Sequence, residues 1–214
     1  MKKILLTGFE AFGGEAINPS WEVVKRLEGH RSDQTIFITQ LPCVFGLSLE
    51  KLYEKIDEIQ PDLVICLGQA GGRASISVEK VAINWNDARI PDNQQNQPID
   101  TAVVENAPLA YFTSLPCKAM VKAMQEAGLP ASLSLSAGSY VCNHVMFGLL
   151  HHLALHYPRC KGGFIHIPYL PEQVASQANM PSMSLESLEK GLKVAIETAL
   201  KVDEDLAIST GQIC

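Results

Sequence analysis

The sequence predicts an α/β fold, a three-layer α/β/α sandwich on a mostly parallel twisted sheet. Short apolar runs of strand length alternate with stretches of helical apolar spacing along nearly the whole chain. Several runs, such as Leu63-Val64-Ile65-Cys66-Leu67, are continuously apolar, as strands covered on both faces are. The 214 residues, 47% of them hydrophobic, suffice for one substantial core. No Pro/Gly/Ser linker or repeat period divides them, so one domain over residues 1–214 is expected.

Taken in order, Lys3–Thr7 reads as a buried strand ending at Gly8. Pro19 and Ser20 then start a helix running to about Leu27, because proline fits the first helical turn. Thr35–Leu41, rich in β-branched residues, is the next strand. Leu49, Leu52, Ile56 and Ile59 set a helical stripe over Leu47–Ile59, which Pro61 stops. Leu63–Leu67 follows as a strand closed by Gly68-Gln69-Ala70-Gly71-Gly72, and Ser75–Ile83 as one more strand. Asn, Asp, Gln and Pro dominate 84–108, which reads as one long ordered loop; loops of that length in a compact domain are uncommon and usually functional. Cys117–Ala127 is a helix stopped by Gly128, Ala131–Leu135 a strand, and Cys142–His156 a helix ended by Pro158. Gly163–Ile167 is a strand ended by Pro168, and Ser184–Lys201 an amphipathic helix. In open sheets the ligand crevice lies beyond the carboxyl ends of the strands. That rule points to the Gly8 loop, the Gly68 loop, the Gly138 turn and the His166–Pro168 exit.

Composition narrows the function. Seventeen Lys and Arg against 23 Asp and Glu leave a net charge of −6, with no basic stripe to displace counterions from nucleic acid. No apolar run approaches the roughly 20 residues that span a bilayer. Met1-Lys2-Lys3 before Ile4-Leu5-Leu6 mimics a secretory signal, but Thr7-Gly8 and Glu10 cut the run short. Six scattered cysteines without a CxxC pair fit a compartment that keeps thiols reduced. A cytoplasmic protein that binds neither nucleic acid nor membrane is expected.

The most informative stretch is Ser136-Ala137-Gly138-Ser139-Tyr140-Val141-Cys142-Asn143-His144, a small-residue turn with Cys142 where a helix begins. A helix N-terminus offers unpaired N–H groups and partial positive charge, which stabilise a thiolate. Such a site with a neighbouring imidazolium lowers a free thiol from ~8.5 to roughly 3.5–7.5. The same N–H groups would cradle an oxyanion after attack on a carbonyl. His166, in the apolar strand before Pro168, is a candidate general base and acid for that nucleophile. Glu79, a carboxylate in a strand, is a candidate to orient the imidazole, because buried glutamates are rare unless paired. Taken singly, each of these side chains has an ordinary structural explanation, as a core thiol, a core histidine or an exposed acid.

Four segments together resemble one family. They are Leu6-Thr7-Gly8-Phe9-Glu10-Ala11-Phe12-Gly13-Gly14 with Asn18-Pro19-Ser20; Glu79-Lys80-Val81-Ala82-Ile83-Asn84 running to Asp87-Ala88-Arg89-Ile90-Pro91-Asp92-Asn93; Val141-Cys142-Asn143-His144; and Phe164-Ile165-His166-Ile167-Pro168 with Pro171-Glu172-Gln173. In this order and spacing, from about Lys2 to Leu200, the chain resembles the pyroglutamyl-peptidase I (pyrrolidone-carboxylate peptidase) family of cysteine peptidases. The resemblance implies an α/β/α sandwich with a mixed sheet, and hydrolytic removal of N-terminal pyroglutamate (5-oxoproline) from peptides and proteins through a thioester, with no metal or cofactor, by a cytosolic homotetramer. It puts the catalytic residues at Cys142, His166 and Glu79. It puts pocket aromatics at Phe9 and Phe12, lactam contacts around Asn18 and Gln69, further substrate contacts at Tyr140 and Val141, and an oxyanion partner of the Cys142 N–H at Arg89. Two positions depart from many relatives. Leu135 stands where they have asparagine, and Tyr140 where they have phenylalanine.

Pyroglutamate is a neutral lactam with no free amine, so an apolar slot with a few polar groups at its edge suits it better than carboxylates or a metal. A prolyl analogue, lacking the ring carbonyl, would leave a buried partner unpaired at about 1–3 kcal/mol per group.

Other readings carry less. The glycine-rich stretch 7–14 fits neither GxGxxG nor GxxxxGK[ST], and its two phenylalanines would crowd a phosphate. A nucleoside-phosphorylase-like enzyme is the runner-up within α/β folds, and a binding module that has lost catalysis is the alternative outside enzymes. His144, His151, His152 and His156 crowd one helix, and His152 with His156 have the spacing of metal ligands, but no acidic third ligand is nearby in sequence.

Overall fold

The computed structural model describes residues 1–30 and 33–210. Its strands are β1 (Lys2–Phe9), β2 (Gly29–His30), β3 (Gln34–Leu41), β4 (Leu63–Gln69), β5 (Ile76–Glu79), β6 (Val81–Ile83), β7 (Ala110–Phe112), β8 (Ala131–Ser134) and β9 (Lys161–Ile167). The helices are α1 (Pro19–Lys25), α2 (Leu47–Ile59), α3 (Cys117–Glu126), α4 (Val141–His156), α5 (Pro171–Val174) and α6 (Leu185–Lys201).

Seven strands form one mixed sheet in the order β2-β3-β1-β4-β9-β5-β8. β3, β1, β4 and β9 run parallel, and the short β5 and β8 run parallel to each other but antiparallel to β9. Helices cover both faces, as the alternation of apolar runs predicts. On one face, Ile4, Leu6, Ile65, Ile165 and Ile167 pack with residues of α1, α3 and α6. On the other, Leu5, Phe9, Val64, Cys66 and Phe164 pack with α2 and α4. Successive strand side chains point to opposite faces, so even-numbered positions of β4 and β9 face α4, and this alternation later decides which residues reach the site.

Local chemistry explains the helix ends. The side chain of Asn18 caps α1 by accepting from the Ser20 N–H, with Pro19 in the first turn. α2 ends with Gln60 in the left-handed region at φ 50°, just before Pro61. Ser184 caps α6 through the Ser187 N–H. α4 is apolar almost all round and is correspondingly buried along most of its length between the sheet and α2.

The structure differs from the sequence reading in three places. The stretch read as one strand over Ser75–Ile83 breaks at Lys80: β5 joins the main sheet, while β6 pairs with β7 in a separate two-stranded sheet. β7 and the two-residue β2 are additions, as is the short helix α5. Residues 84–108 form the expected loop, stitched by an isolated bridge between Asn86 and Thr101. Finally, β5 and β8 run against β1, β4 and β9, so their carboxyl ends point toward the opposite end of the sheet.

Candidate active site

The site lies on the α4 face of the sheet near the carboxyl ends of β4 and β9. His166 follows Phe164 by two residues on β9 and faces the same way, and Glu79 ends β5 beside it. Nδ1 of His166 and Oε1 of Glu79 are 2.7 Å apart, and both residues are buried. An ionised carboxylate only accepts, so Nδ1 carries the hydrogen and Nε2 presents a lone pair. The same Oε1 accepts from Nη1 of Arg73 at 2.7 Å, whereas Oε2 is buried with no partner among the described residues.

Cys142 enters from above the sheet as the second residue of α4, and it is half-buried. No side chain caps that helix end, so its first N–H groups are not engaged by a side-chain acceptor. The thiol stands over Gly68 of β4, where an added β-carbon would lie 2.8 Å from Sγ and 2.8 Å from Cζ of Phe164. Gly68 is the register partner of His166, and the Phe164 and His166 rings are 4.8 Å apart. Thiol, imidazole and carboxylate therefore gather over three neighbouring strands, β4, β9 and β5, with Glu79 two residues beyond Ser77, the register partner of His166.

The electrostatics favour a neutral resting pair. Burial lowers the His166 pKa and prevails over the hydrogen bond and charge of Glu79, which raise it. Burial raises the Cys142 thiol well above the ordinary range; Cys43 and Glu79 push the same way and Arg73 opposes them. Burial also works to raise Glu79, but the hydrogen bond and charge of His166, with further hydrogen bonding from Ser134 and Arg73, outweigh it, and the carboxyl stays below its usual value. A helix end is expected to lower the thiol pKa; the shift is instead upward, with burial as its largest cause. The arrangement suits a thiol that gives up its proton to an adjacent imidazole as it attacks.

Around the thiol, Tyr140 packs against Phe12 at 6.3 Å and edge-on against Phe45 at 5.4 Å. Phe9 is buried and leans on Phe164 at 6.4 Å, and Val141 is wholly buried. Asn18 is committed to the loop: it accepts from the Ser20 N–H and hydroxyl and donates to the Glu10 carbonyl. Oε1 of Gln69 accepts from Gln173 Nε2 at 2.9 Å, while Oε1 of Gln173 accepts from the Leu170 N–H. Arg89 is exposed and makes no hydrogen bond or ion pair among the described residues; the guanidinium that touches the acid is Arg73. Leu135 is exposed, and the Tyr140 hydroxyl donates to the Pro91 carbonyl.

Sequence reasoning missed several residues that build the walls. Asp92 is buried and accepts from the N–H groups of Phe45, Gln94 and Asn96 and from the Asn96 amide. Its neighbour Asn93 donates to Glu10 and to the Ala11 carbonyl, which ties the long loop to the Phe9–Phe12 segment. Asn143 accepts from the Ile83 N–H and donates to the Ile83 and Trp85 carbonyls, fixing β6 to α4. His144 accepts from the Gly46 N–H and bonds Asn86, so it is a brace beside Phe45. Their partners lie far off in sequence, and only the stretches Asp87–Asn93 and Val141–His144 marked them. Among the described residues no group of three or more His, Cys, Asp and Glu is placed to hold a metal ion; His152 instead stacks on Tyr53. No helix among them is long and apolar enough to cross a membrane.

The chain is similar to known proteins over nearly its whole length. A family model described as pyroglutamyl peptidase matches residues 2–202. Pyrrolidone-carboxylate peptidase 1 of Photorhabdus laumondii is 60% identical over 217 residues, covering 99% of each chain. The pyrrolidone-carboxylate peptidase of Brevibacillus brevis is 56% identical over the full length of both. The crystal structure of pyroglutamyl peptidase I from Bacillus amyloliquefaciens superposes with a TM-score of 0.94 at 49% identity, over 97% of this chain and 99% of that one.

Proposed function

The chain belongs to the pyroglutamyl peptidase family of cysteine-type hydrolases, and on that premise we propose how its own residues release N-terminal pyroglutamate from peptides and proteins. In the proposed cycle His166 Nε2 takes the proton of Cys142 as Sγ attacks the pyroglutamyl carbonyl. The tetrahedral oxyanion is held by the Cys142 N–H at the start of α4, with Arg89 closing on it once substrate is bound. Collapse breaks the C–N bond, and the imidazolium hands its proton to the departing amine. A thioester remains. Water then gives a proton to Nε2 and attacks, and the Cys142 sulfur leaves and recovers that proton as pyroglutamate departs. Glu79 stays ionised throughout, holding the Nδ1 hydrogen and stabilising each transient imidazolium.

The observation that carries this assignment is the 2.7 Å contact between His166 and Glu79, buried beside a thiol for which Gly68 leaves room. Phe12, Phe45 and Tyr140 are the proposed walls of the lactam slot, with Phe9 beneath and Val141 at its base. Asn18 and Gln69 are the proposed polar edge, Asn18 through the amide hydrogen left over from its bond to Glu10 and Gln69 through an amide nitrogen that makes no hydrogen bond among the described residues. The nucleoside-phosphorylase-like and inactive-module alternatives find no support in the family match.

Three further readings go with it. The chain acts as one domain, because a single sheet carries both cores. It works in the cytoplasm, consistent with its five described cysteines all being free; Cys214 lies outside the described residues. It assembles with copies of itself, for which the exposed Leu109 and Phe112 on and beside β7 offer apolar surface.

The direct test compares a pyroglutamyl chromogenic amide with its prolyl counterpart, with and without iodoacetamide. Hydrolysis of the first alone, lost on stoichiometric labelling of Cys142, is expected. Equal turnover of both substrates, or activity surviving full labelling, overturns the assignment.

A further inference from the structure

We propose that Arg73 is a positioning residue of this site, a strut that fixes one oxygen of Glu79 beside His166 and ties it to the turn leading into Cys142. The inference rests on the catalytic reading above and adds a residue to it.

The geometry is specific. Both donors to Glu79, Arg73 Nη1 and His166 Nδ1, meet at Oε1 at 2.7 Å each, while Oε2 has no partner among the described residues. Rotating the carboxylate to exchange its oxygens would break both bonds together. The guanidinium is anchored in turn, with Nη2 donating to the Ser136 carbonyl at 3.2 Å and Nη1 3.5 Å from the Ser134 hydroxyl. Ser134 ends β8, and Ser136 begins the turn into α4. One side chain thus links the acid on β5 to the segment that delivers the nucleophile.

A buried carboxylate paired only with an imidazole is stable as an anion when that imidazole is protonated. Catalysis by the proposed route needs the opposite combination, an ionised Glu79 beside a neutral His166. Arg73 supplies a cation that does not titrate, so the carboxylate can stay ionised through both protonation states of the imidazole. The guanidinium is one-third exposed, and it borders a serine-lined cavity of about 420 Å³ that includes Ser75 and Ser132. It keeps part of its hydration while its partner is wholly buried. The charged and titratable groups around the imidazole are Glu79 from β5, Arg73 from the loop after β4 and Cys142 from α4; Cys66 of β4 and Cys43 after β3 act on the thiol.

The experiment compares wild type, Arg73→Gln and Arg73→Lys by two readouts. One is kcat/KM for the pyroglutamyl amide from pH 5 to 9. The other is the NMR titration of the His166 imidazole, assigned by its loss in His166→Ala. In Arg73→Gln, kcat/KM should fall about 10- to 100-fold, with the acidic limb and the imidazole midpoint both rising by about half to one pH unit, because a repelling cation has gone. Arg73→Lys should keep the wild-type midpoint but lose about 3- to 10-fold in kcat/KM, since an ammonium cannot span Glu79 and Ser136 together. A slower Arg73→Gln with an unmoved midpoint would mean a merely structural role and overturn the proposal. A wild-type rate in Arg73→Lys would overturn the strut, and that variant decides the matter if Arg73→Gln does not fold. A wild-type protein inert toward the amide would sink the catalytic reading instead, while the NMR comparison would still judge Arg73.

Discussion

Gly68 and Cys142 divide one space between them: a β-carbon on the glycine would lie 2.8 Å from the sulfur. The other near atom, Cζ of Phe164, belongs to a wholly buried ring, so neither neighbour can yield without disturbing the site. Gly68→Ala is therefore expected to push the thiol off its line to the imidazole. Displacement of about 1 Å can cost on the order of 100-fold in rate. Overpacking should also cost about 1–3 kcal/mol of stability. Parallel measurement of kcat/KM and urea unfolding checks this; full activity in a folded Gly68→Ala enzyme would show that the space is not shared.

Cys142→Ser and His166→Ala should each reduce turnover at least about 1000-fold while the fold survives, as expected for residues that act as a unit. Glu79→Gln should be milder in rate, because it leaves Nε2 available while removing the counter-charge. It should also lower stability, since it leaves the Arg73 cation without its counter-charge and buries an amide NH2 where Oε2 has no partner among the described residues. Steady-state kinetics with thermal unfolding separates these outcomes, and a wild-type rate in Glu79→Gln would remove the acid from the assignment.

Asp92→Ala should act on substrate binding more than on chemistry. Its carboxylate gathers the N–H groups of Phe45, Gln94 and Asn96, and burial of those donors without an acceptor costs about 1–3 kcal/mol each. The long loop and Phe45 would lose their common anchor. KM for the pyroglutamyl amide should rise about 5- to 20-fold, with kcat changing less. A fall in kcat at unchanged KM would contradict the placement of Phe45 in the slot.

Stability should fall on mild acidification. Burial lowers the His144 pKa from 6.5 to about 4, so the folded protein resists a proton that the unfolded chain accepts. That contribution is fully present above pH 6.5 and is lost as pH drops toward 4. Between pH 7 and pH 5 the loss is about 2 kcal/mol. His166, also lowered, acts in the same direction, and Glu79, held below 4.5, adds its share at more acid pH. Urea melts at the two pH values should show the drop, and His144→Gln should shrink it; an equal drop in the variant would assign the effect elsewhere.

Much of the scaffold was legible because it is locally encoded. The stripe Leu49, Leu52, Ile56, Ile59 marks α2, and Asn18 with Pro19 marks the start of α1, since each signal falls within a turn or two of chain. The reversal of β5 and β8 was not legible. An apolar run says that a strand is buried, and it says nothing about which way it runs. The break at Lys80 escaped for a similar reason: β5 and β6 continue one pattern, and only pairing with β9 and β7 parts them. In the site, Cys142, His166 and Glu79 stood out through their residue types and motifs. His144 did not stand out as a brace, because the Gly46 N–H it accepts from is 98 residues away.

The amino-acid order by itself determined the layered α/β class, the helix boundaries and the short list of reactive side chains, because periodicity, capping and residue chemistry act over a few neighbouring positions. Only the tertiary structure decided that Gly68 makes room for the sulfur, that Arg73 shares an oxygen of Glu79 with His166, and that burial raises the Cys142 thiol. Those outcomes depend on distances and solvent exclusion between segments tens of residues apart, which come into being only when the sheet closes under α4.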